Sequence, residues 1–362
     1  MSANNFHLFG FPIAHSSAPS LHIHCFKSLG KPEKNFTLWS TSQVTPEMLE
    51  VVKSADVGGA AVTMPIKTAI IPFLDELSPE SKITNACNTI VKVQLPGGGV
   101  KLVGQNTDIL GVRNALLSAL REQHPTKTIP SDASAAYPAG VGAGLVIGGG
   151  ATTRSAAHAL TLLGLAPIYL INRDEKEVKD VMHAMPHLSS KSGLIHLKDP
   201  ADVEKYLVGE GKPTLLMIVG CIPSLAPQTY EERMVYTTAS AVLTTVYSVP
   251  ETASPVLAYP TKRLFLEMPY KPLHTTMFQV AAAHGWHVID GIEAMIEQGF
   301  AQQRMWARGE ASVAVGSDAL ILGAEVEAAA RRETRARVAE GYSPEELERI
   351  KTEVDRATVS RL

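Results

Sequence analysis

One stretch limits the fold more than any other. Leu145-Val146-Ile147 is a short apolar run, and Gly148-Gly149-Gly150-Ala151-Thr152-Thr153-Arg154 is a glycine-rich turn. Ser155 to Leu163 has helical character and is closed by Gly164; Ile168 to Ile171 is a second apolar run ending in Asn172-Arg173-Asp174. Strand, glycine turn, helix and strand in that order make a βαβ unit. Its glycines let the N–H groups at a helix start approach a pyrophosphate. The fingerprint is imperfect, because Thr153 stands where the third glycine falls. The apolar strand before it and the polar residues after the next strand carry the reading. The competing reading is a helix N-terminus that is glycine-rich without a ligand. Gly148, Gly149, Gly150, Ala151 and Thr152 are therefore candidate cofactor contacts. Asp174 lies 24 residues after Gly150, where an acid bonds a ribose 2′-OH and repels a 2′-phosphate, whereas Arg173 favours the phosphate. The expectation is NAD, with NADP as the alternative.

A single βαβ unit uses a small part of 362 residues, and the length allows two domains, each with its own core. Further strands are read at Thr214 to Val219, Ala241 to Val246 and Leu264 to Met268, and a helix from Val288-Ile289-Asp290-Gly291 through Ala294, Gln298 and Met305. Before the unit, Glu122 to Gly144 has several prolines and no period, as in a linker or insertion. Earlier still, strands are expected at Phe6 to Phe11, Phe36 to Ser40, Gly59 to Thr63, Cys87 to Val93 and Val100 to Val103. The last two flank the hairpin signal Pro96-Gly97-Gly98-Gly99. Helices are expected at Leu21 to Leu29, Thr45 to Lys53 and about Leu110 to Leu120, and Lys67 is placed in the first turn of another through Thr68, Ile71 and Phe73. A cation there opposes the helix dipole, a local conflict of the kind found at functional sites.

Charge and cysteine usage narrow the function. A net charge of −3 gives no basic field for nucleic acid or an anionic membrane. Cys25, Cys87 and Cys221 are scattered without metal-type spacing, which suits a reducing compartment. The N-terminus lacks signal-peptide character, and no apolar run is long enough to span a bilayer. The expectation is a cytoplasmic protein that binds a small molecule, without metal; its oligomeric state, monomer or homodimer, is left open by the sequence. His15, His22 and His24 have no cysteine or carboxylate at ligand spacing and are read as surface or loop histidines. Arg331 to Arg337, balanced by glutamates, is read as a solvated helix face, and Ser343-Pro344-Glu345-Glu346 as a capping box.

Between Gly58 and Asp108, glycines and short apolar runs surround a few residues suited to small-molecule contact: Lys67, Asn88 and Asn106, each asparagine followed by a threonine, and Asp108. Taken singly, Asp108 reads as a helix cap. Taken in order, the motifs resemble the shikimate/quinate dehydrogenase family. His15-Ser16-Ser17-Ala18-Pro19 is similar to its His-Ser-x-Ser-Pro loop, and Val62-Thr63-Met64-Pro65-Ile66-Lys67 to its Val-Thr-x-Pro-x-Lys. Asn85-Ala86-Cys87-Asn88-Thr89 is similar to Gly-Ala-Val-Asn-Thr, and Gly104-Gln105-Asn106-Thr107-Asp108 to Gly-x-Asn-Thr-Asp. Tyr270 and the segment from Asp290-Gly291 to Gln298 resemble its C-terminal elements.

The resemblance implies an α/β chain of two domains with a cleft between them. Residues 1–121 would bind substrate and 122–143 form a linker or insertion. Residues 144–287 would form a Rossmann-type dinucleotide-binding domain, 288–320 return to the substrate domain, and 321–362 add a charged helical extension. Lys67 and Asp108 would be the catalytic pair: Lys67 passes the proton of the hydroxyl being oxidised, and Asp108 holds it. Ser16, Thr63, Asn88, Tyr270 and Gln298 would contact the substrate, a hydroxycyclohexane or cyclohexene carboxylate such as quinate or shikimate. Gly291 would join Asn172, Arg173 and Asp174 at the cofactor. Three departures stand out: Ala18 for a serine, Ala61 for an asparagine, and Val219-Gly220-Cys221 for Asn-Ala-Thr. They motivate a second reading, a catalytically weak ligand sensor.

Overall fold

In the N-terminal part, prolines and glycines end each element and the apolar period sets its type. The computed structural model describes residues 3–342 apart from 133, 139, 190–192 and 250–256. β1 (Asn5–Gly10) stops ahead of Pro12. α1 (Ala18–Ser28) begins with Pro19 in its first turn and gives way to Gly30 at φ +70°. β2 (Asn35–Ser40) leads to α2 (Pro46–Lys53), whose cap, Thr45, accepts the N–H of Met48. β3 (Val57–Val62) is followed by β4 (Glu76–Leu77), α3 (Pro79–Thr84), β5 (Thr89–Gln94), β6 (Val100–Gln105) and α4 (Asp108–Gln123). These strands form one mixed sheet in the order β2-β1-β3-β5-β6-β4. β1 is parallel to both β2 and β3, whereas β5 runs antiparallel to β3 and β6. Alternation along each strand supplies two layers: Phe6, Leu8, Ala61 and Val91 face one core, and Phe9, Ala60, Val62 and Ile90 the other.

The second sheet follows the glycine unit. β7 (Ala143–Ile147), α5 (Ala151–Leu162) and β8 (Ile168–Ile171) are the expected βαβ unit. α6 (Glu175–Ala184), α7 (Pro186–Ser189), β9 (Leu194–His196), α8 (Pro200–Leu207), β10 (Leu215–Gly220), α9 (Tyr230–Leu243), β11 (Leu264–Glu267), α10 (Thr276–Ala283) and β12 (His287–Asp290) complete it. All its pairings are parallel, in the order β12-β11-β10-β7-β8-β9. That is the doubly wound dinucleotide order, with the switch point between β7 and β10. β7, β8 and β10 are buried at every position, as in a parallel sheet covered on both faces. α11 (Gly291–Arg308), α12 (Val313–Gly316) and α13 (Ala324–Ala339) end the described chain. The chain divides into two compact units: one up to Gly111 together with the described residues from Met295, the other Val112–Ala294.

Several sequence expectations change. Lys67 is not in an α-helix. Residues 64–70 form turns that tighten into a 3₁₀ turn at Ile71–Phe73, held by i→i−3 bonds such as Ile71 N–H to the Thr68 carbonyl. Pro72 lacks the N–H that an α-helix would need there. Ala241 to Val246 is not a strand, because Thr229 and Glu232 close a capping box that starts α9. The buried period Val235, Ala239, Val242 then carries the helix on to Leu243. Val288 to Asp290 pairs as a strand with β11 before α11 begins. His22 is not a surface residue. It is fully buried, stacks on Phe36 with ring centroids 4.3 Å apart, and meets the Gln303 amide at 2.9 Å, with its pKa driven down to about 3 by burial. Arg331 to Arg337 is only partly a solvated face. Arg331 donates to Glu297 at 2.6 Å, and Ala330 and Thr334 of the same helix are fully buried. The capping box from Ser343 lies outside the described residues. Among the described residues no helix is long and apolar enough to cross a membrane.

Candidate active site

The antiparallel turn of β5 in the first sheet brings four chain segments to one edge. The carboxyl ends of β1, β3 and β6 meet the amino end of β5 there, because Ala61 pairs with Thr89 and Thr89 with Gln105. Thr63 follows β3 and is tied to β1 by its N–H to the Phe9 carbonyl at 2.8 Å. Asn88 precedes β5, and Asn106-Thr107-Asp108 follows β6. The turn carrying Lys67 is docked on the same edge, since its carbonyl accepts the N–H of Cys87 at 2.9 Å.

Lys67 and Asp108, 41 residues apart in the chain, meet here: Lys67 Nζ donates to Asp108 Oδ2 at 2.6 Å. Their side chains are only 12% and 11% exposed, so the pair is largely removed from water yet still reachable. The ammonium's other donors meet no acceptor among the described residues. Asp108 is not the helix cap; Asn106 Oδ1 accepts the Asp108 N–H instead, at 3.2 Å. That leaves the carboxylate for Lys67 and Asn88.

Asn88 is the hub of the edge. Its Oδ1 accepts the Thr107 N–H at 2.7 Å and the Thr89 hydroxyl at 2.8 Å. Its Nδ2 donates to Asp108 Oδ1 at 2.8 Å and lies 3.2 Å from Gln298 Oε1. Donors on one side and acceptors on the other fix which way the amide points. Gln298 comes from α11, and Gln302, one turn later, donates to the Asn88 carbonyl at 3.2 Å and the Thr89 hydroxyl at 3.0 Å. Gln302 was not singled out from the sequence. The available signal was Gln302 four residues after Gln298, on a helix face that is otherwise buried and apolar.

The remaining expected residues are distributed as follows. Ser16 lies in the loop leaving the same edge, half-buried, with its hydroxyl accepting the Ala18 N–H at 3.3 Å. Ser17 is the cap position of α1 and makes no side-chain cap bond. Tyr270 belongs to the other unit, on the loop after β11, where burial raises its phenol. Gly291 opens α11; a side chain there would strike the Met268 carbonyl at 2.0 Å.

In the second unit, the glycine turn follows β7 at the switch point, and the N–H of Cys221, after β10, reaches the Ile147 carbonyl at 2.8 Å. No side chain caps α5, and its first turn has no acidic residue. A Cβ on Gly150 would meet nothing within 4 Å, while Thr153, buried in the first turn, has a hydroxyl with no partner. Open space, free amide dipoles and an unsatisfied hydroxyl fit an incoming phosphate. After β8, every side chain is engaged. Asn172 donates to Glu177 at 2.7 Å, Arg173 pairs with Glu232, and Asp174 caps α6 by accepting the Lys176 N–H at 2.7 Å.

A doubly wound sheet with a glycine turn in one unit, and a desolvated lysine–aspartate pair on a mixed sheet in the other, define a two-domain α/β protein. Residues 8–90 match the family model of the shikimate dehydrogenase substrate binding domain. The chain is 28% identical to the dehydroquinate dehydratase and shikimate dehydrogenase from S. pombe, with a TM-score of 0.66 over 91% of its own length. It spans about half, 52%, of that protein. It shares its fold with the shikimate 5-dehydrogenase from Thermus thermophilus in complex with NADP(H) and shikimate (24% identity, 91% of this chain and 99% of that one, TM-score 0.59). It also shares it with the quinate dehydrogenase from Corynebacterium glutamicum in complex with NAD (18%, 89% and 99%, TM-score 0.60). The resemblance to the shikimate/quinate dehydrogenases read from the sequence is borne out, and the chain has their two-domain α/β fold.

Proposed function

We propose that the protein is a nicotinamide-dinucleotide-dependent dehydrogenase that interconverts a ring hydroxyl and a ketone on a hydroxylated cyclohexane or cyclohexene carboxylate, quinate or shikimate being the type. The Lys67–Asp108 pair, held at 2.6 Å by the Asn88 hub, carries this reading. Oxidising a ring alcohol to a ketone removes a proton from oxygen and a hydride from carbon. A nicotinamide dinucleotide, when bound, supplies the acceptor for the hydride, and the turn at Gly148, Gly149, Gly150, Ala151 and Thr152 would hold its phosphates. Lys67 handles the proton at the hydroxyl oxygen. Asp108 keeps the lysine head in place, and Asn88 in turn fixes Asp108, so no side chain must reorganise as the proton moves. Ser16, Thr63 and Gln298 of this unit would meet the carboxylate and ring hydroxyls.

A pure ligand sensor has no use for this pair, which favours the enzyme over the sensor. A panel of quinate, shikimate and related ring acids against NAD and NADP, followed by nicotinamide absorbance, tests the choice. Turnover of at least one acid is expected. Ligand binding without turnover on any member would overturn the enzyme reading.

A further inference from the structure

The row after β8 bears on which dinucleotide the second unit accepts, and the inference drawn from it rests on the reading that the glycine turn seats one. A 2′-phosphate on the adenosine ribose adds negative charge at the end of the second strand of the unit, and an arginine there is the usual means of accepting it. Arg173 holds that position. It is not waiting for a phosphate, because its guanidinium is already paired with Glu232, from the first turn of α9.

Glu232 differs from an ordinary surface partner. Isolated exposed ion pairs are weak, partly because two long side chains must be held in one geometry. Here the carboxylate is positioned in advance. Glu232 Oε2 accepts the N–H of Gln228 at 2.6 Å and of Thr229 at 3.2 Å, closing the capping box, and Oε1 is left for Arg173. Glu232 is 24% exposed, whereas Arg173 is 54% exposed. The acid is the member of the pair held by backbone donors, and the arginine is the more exposed one.

We infer that Glu232 sets cofactor choice by occupying Arg173, so that the unit favours NAD over NADP. A 2′-phosphate must displace a carboxylate that is already in place and then sit close to it. A 2′-hydroxyl meets neither penalty. Asp174, turned to the α6 cap, contributes to the same negative surroundings without being the group in contact with Arg173.

The test is calorimetric titration of the whole chain with NAD, NADP and adenosine 2′,5′-bisphosphate, for the native protein and Glu232→Gln. Glutamine at this helix position still closes a capping box, so the fold of α9 is kept and only the charge is lost; an unchanged melting temperature verifies this. Expected is at least a tenfold gain in affinity for NADP and for the bisphosphate, with NAD altered less than twofold. Adding Arg173→Gln to Glu232→Gln should abolish the gain. Unchanged NADP affinity in Glu232→Gln, with NAD still bound, overturns the inference and leaves the dinucleotide reading standing. Failure of the native protein to bind either dinucleotide overturns both.

Discussion

Asp108, at the start of α4, and Glu267, at the end of β11, are both buried carboxylates, one in each unit, and they are kept in opposite ways. Asp108 has a cation at 2.6 Å and an amide donor at 2.8 Å. Glu267, at the end of β11, is 1% exposed and has neither. Its Oε1 accepts the Thr275 hydroxyl at 2.8 Å, and its Oε2 has no partner. Burial raises its pKa to about 8, with the Thr275 bond pulling the other way. A buried carboxylate either finds a counter-charge or keeps its proton. The first unit provides a paired, reachable charge, as proton transfer requires. The second holds an acid whose ionisation burial opposes, sealed at the end of β11.

The largest expected effect comes from removing the cation. Lys67→Ala should lower kcat by about 10³-fold, within the ~10²–10⁴ that a positioned proton-transfer group contributes. Substrate binding should weaken far less. An equal loss in binding and turnover would mean that Lys67 holds the substrate without moving its proton.

The two carboxylates were not equally legible in the sequence. Asp108 stood in a motif whose order, with Lys67 and Asn88, pointed to the pair. Glu267 sat at the end of the apolar run Leu264 to Met268, where one acid reads as the solvated end of a strand. Only the packing of Thr275 and α10 shows that it is sealed. The βαβ unit was readable because its period and glycines are local. The Asn88 hub was readable only in part: its link to Gln298 spans 210 residues, and spacing says nothing about contacts of that range. The turn carrying Lys67 was misread because helical apolar spacing was given more weight than Pro72. The ion pair of Arg173 with Glu232, 59 residues apart, left no local trace at all.

A smaller effect is expected when the amide support of Asp108 is removed while the ion pair is left in place. Asn88→Ala leaves the Thr107 N–H, itself fully buried, without its acceptor, and one Asp108 oxygen without its donor. At about 1–3 kcal/mol for each orphaned buried group, the first unit should lose about 3 kcal/mol of stability to denaturant, with activity falling as Asp108 drifts. Full stability with lost activity would show that the hub orients without supporting the fold.

The smallest effect concerns the acid without a counter-charge, and its sign follows from linkage. The folded-state pKa of Glu267 is raised, so this group's contribution to stability is complete below the ordinary value of 4.5 and is lost as pH rises towards about 8. Over that interval an unfolded chain ionises its carboxyl while the folded chain still holds the proton. Glu267→Gln keeps the shape and an acceptor for Thr275 but cannot ionise. Its melting temperature should therefore fall less than that of the native protein between about pH 4.5 and about 8, and the two curves should diverge by a few degrees. Parallel curves would mean that Glu267 ionises as easily in the folded chain as in the unfolded one. The contrast with Asp108 would then fail, because a counter-charge would have to reach Glu267 Oε2 as one reaches Asp108.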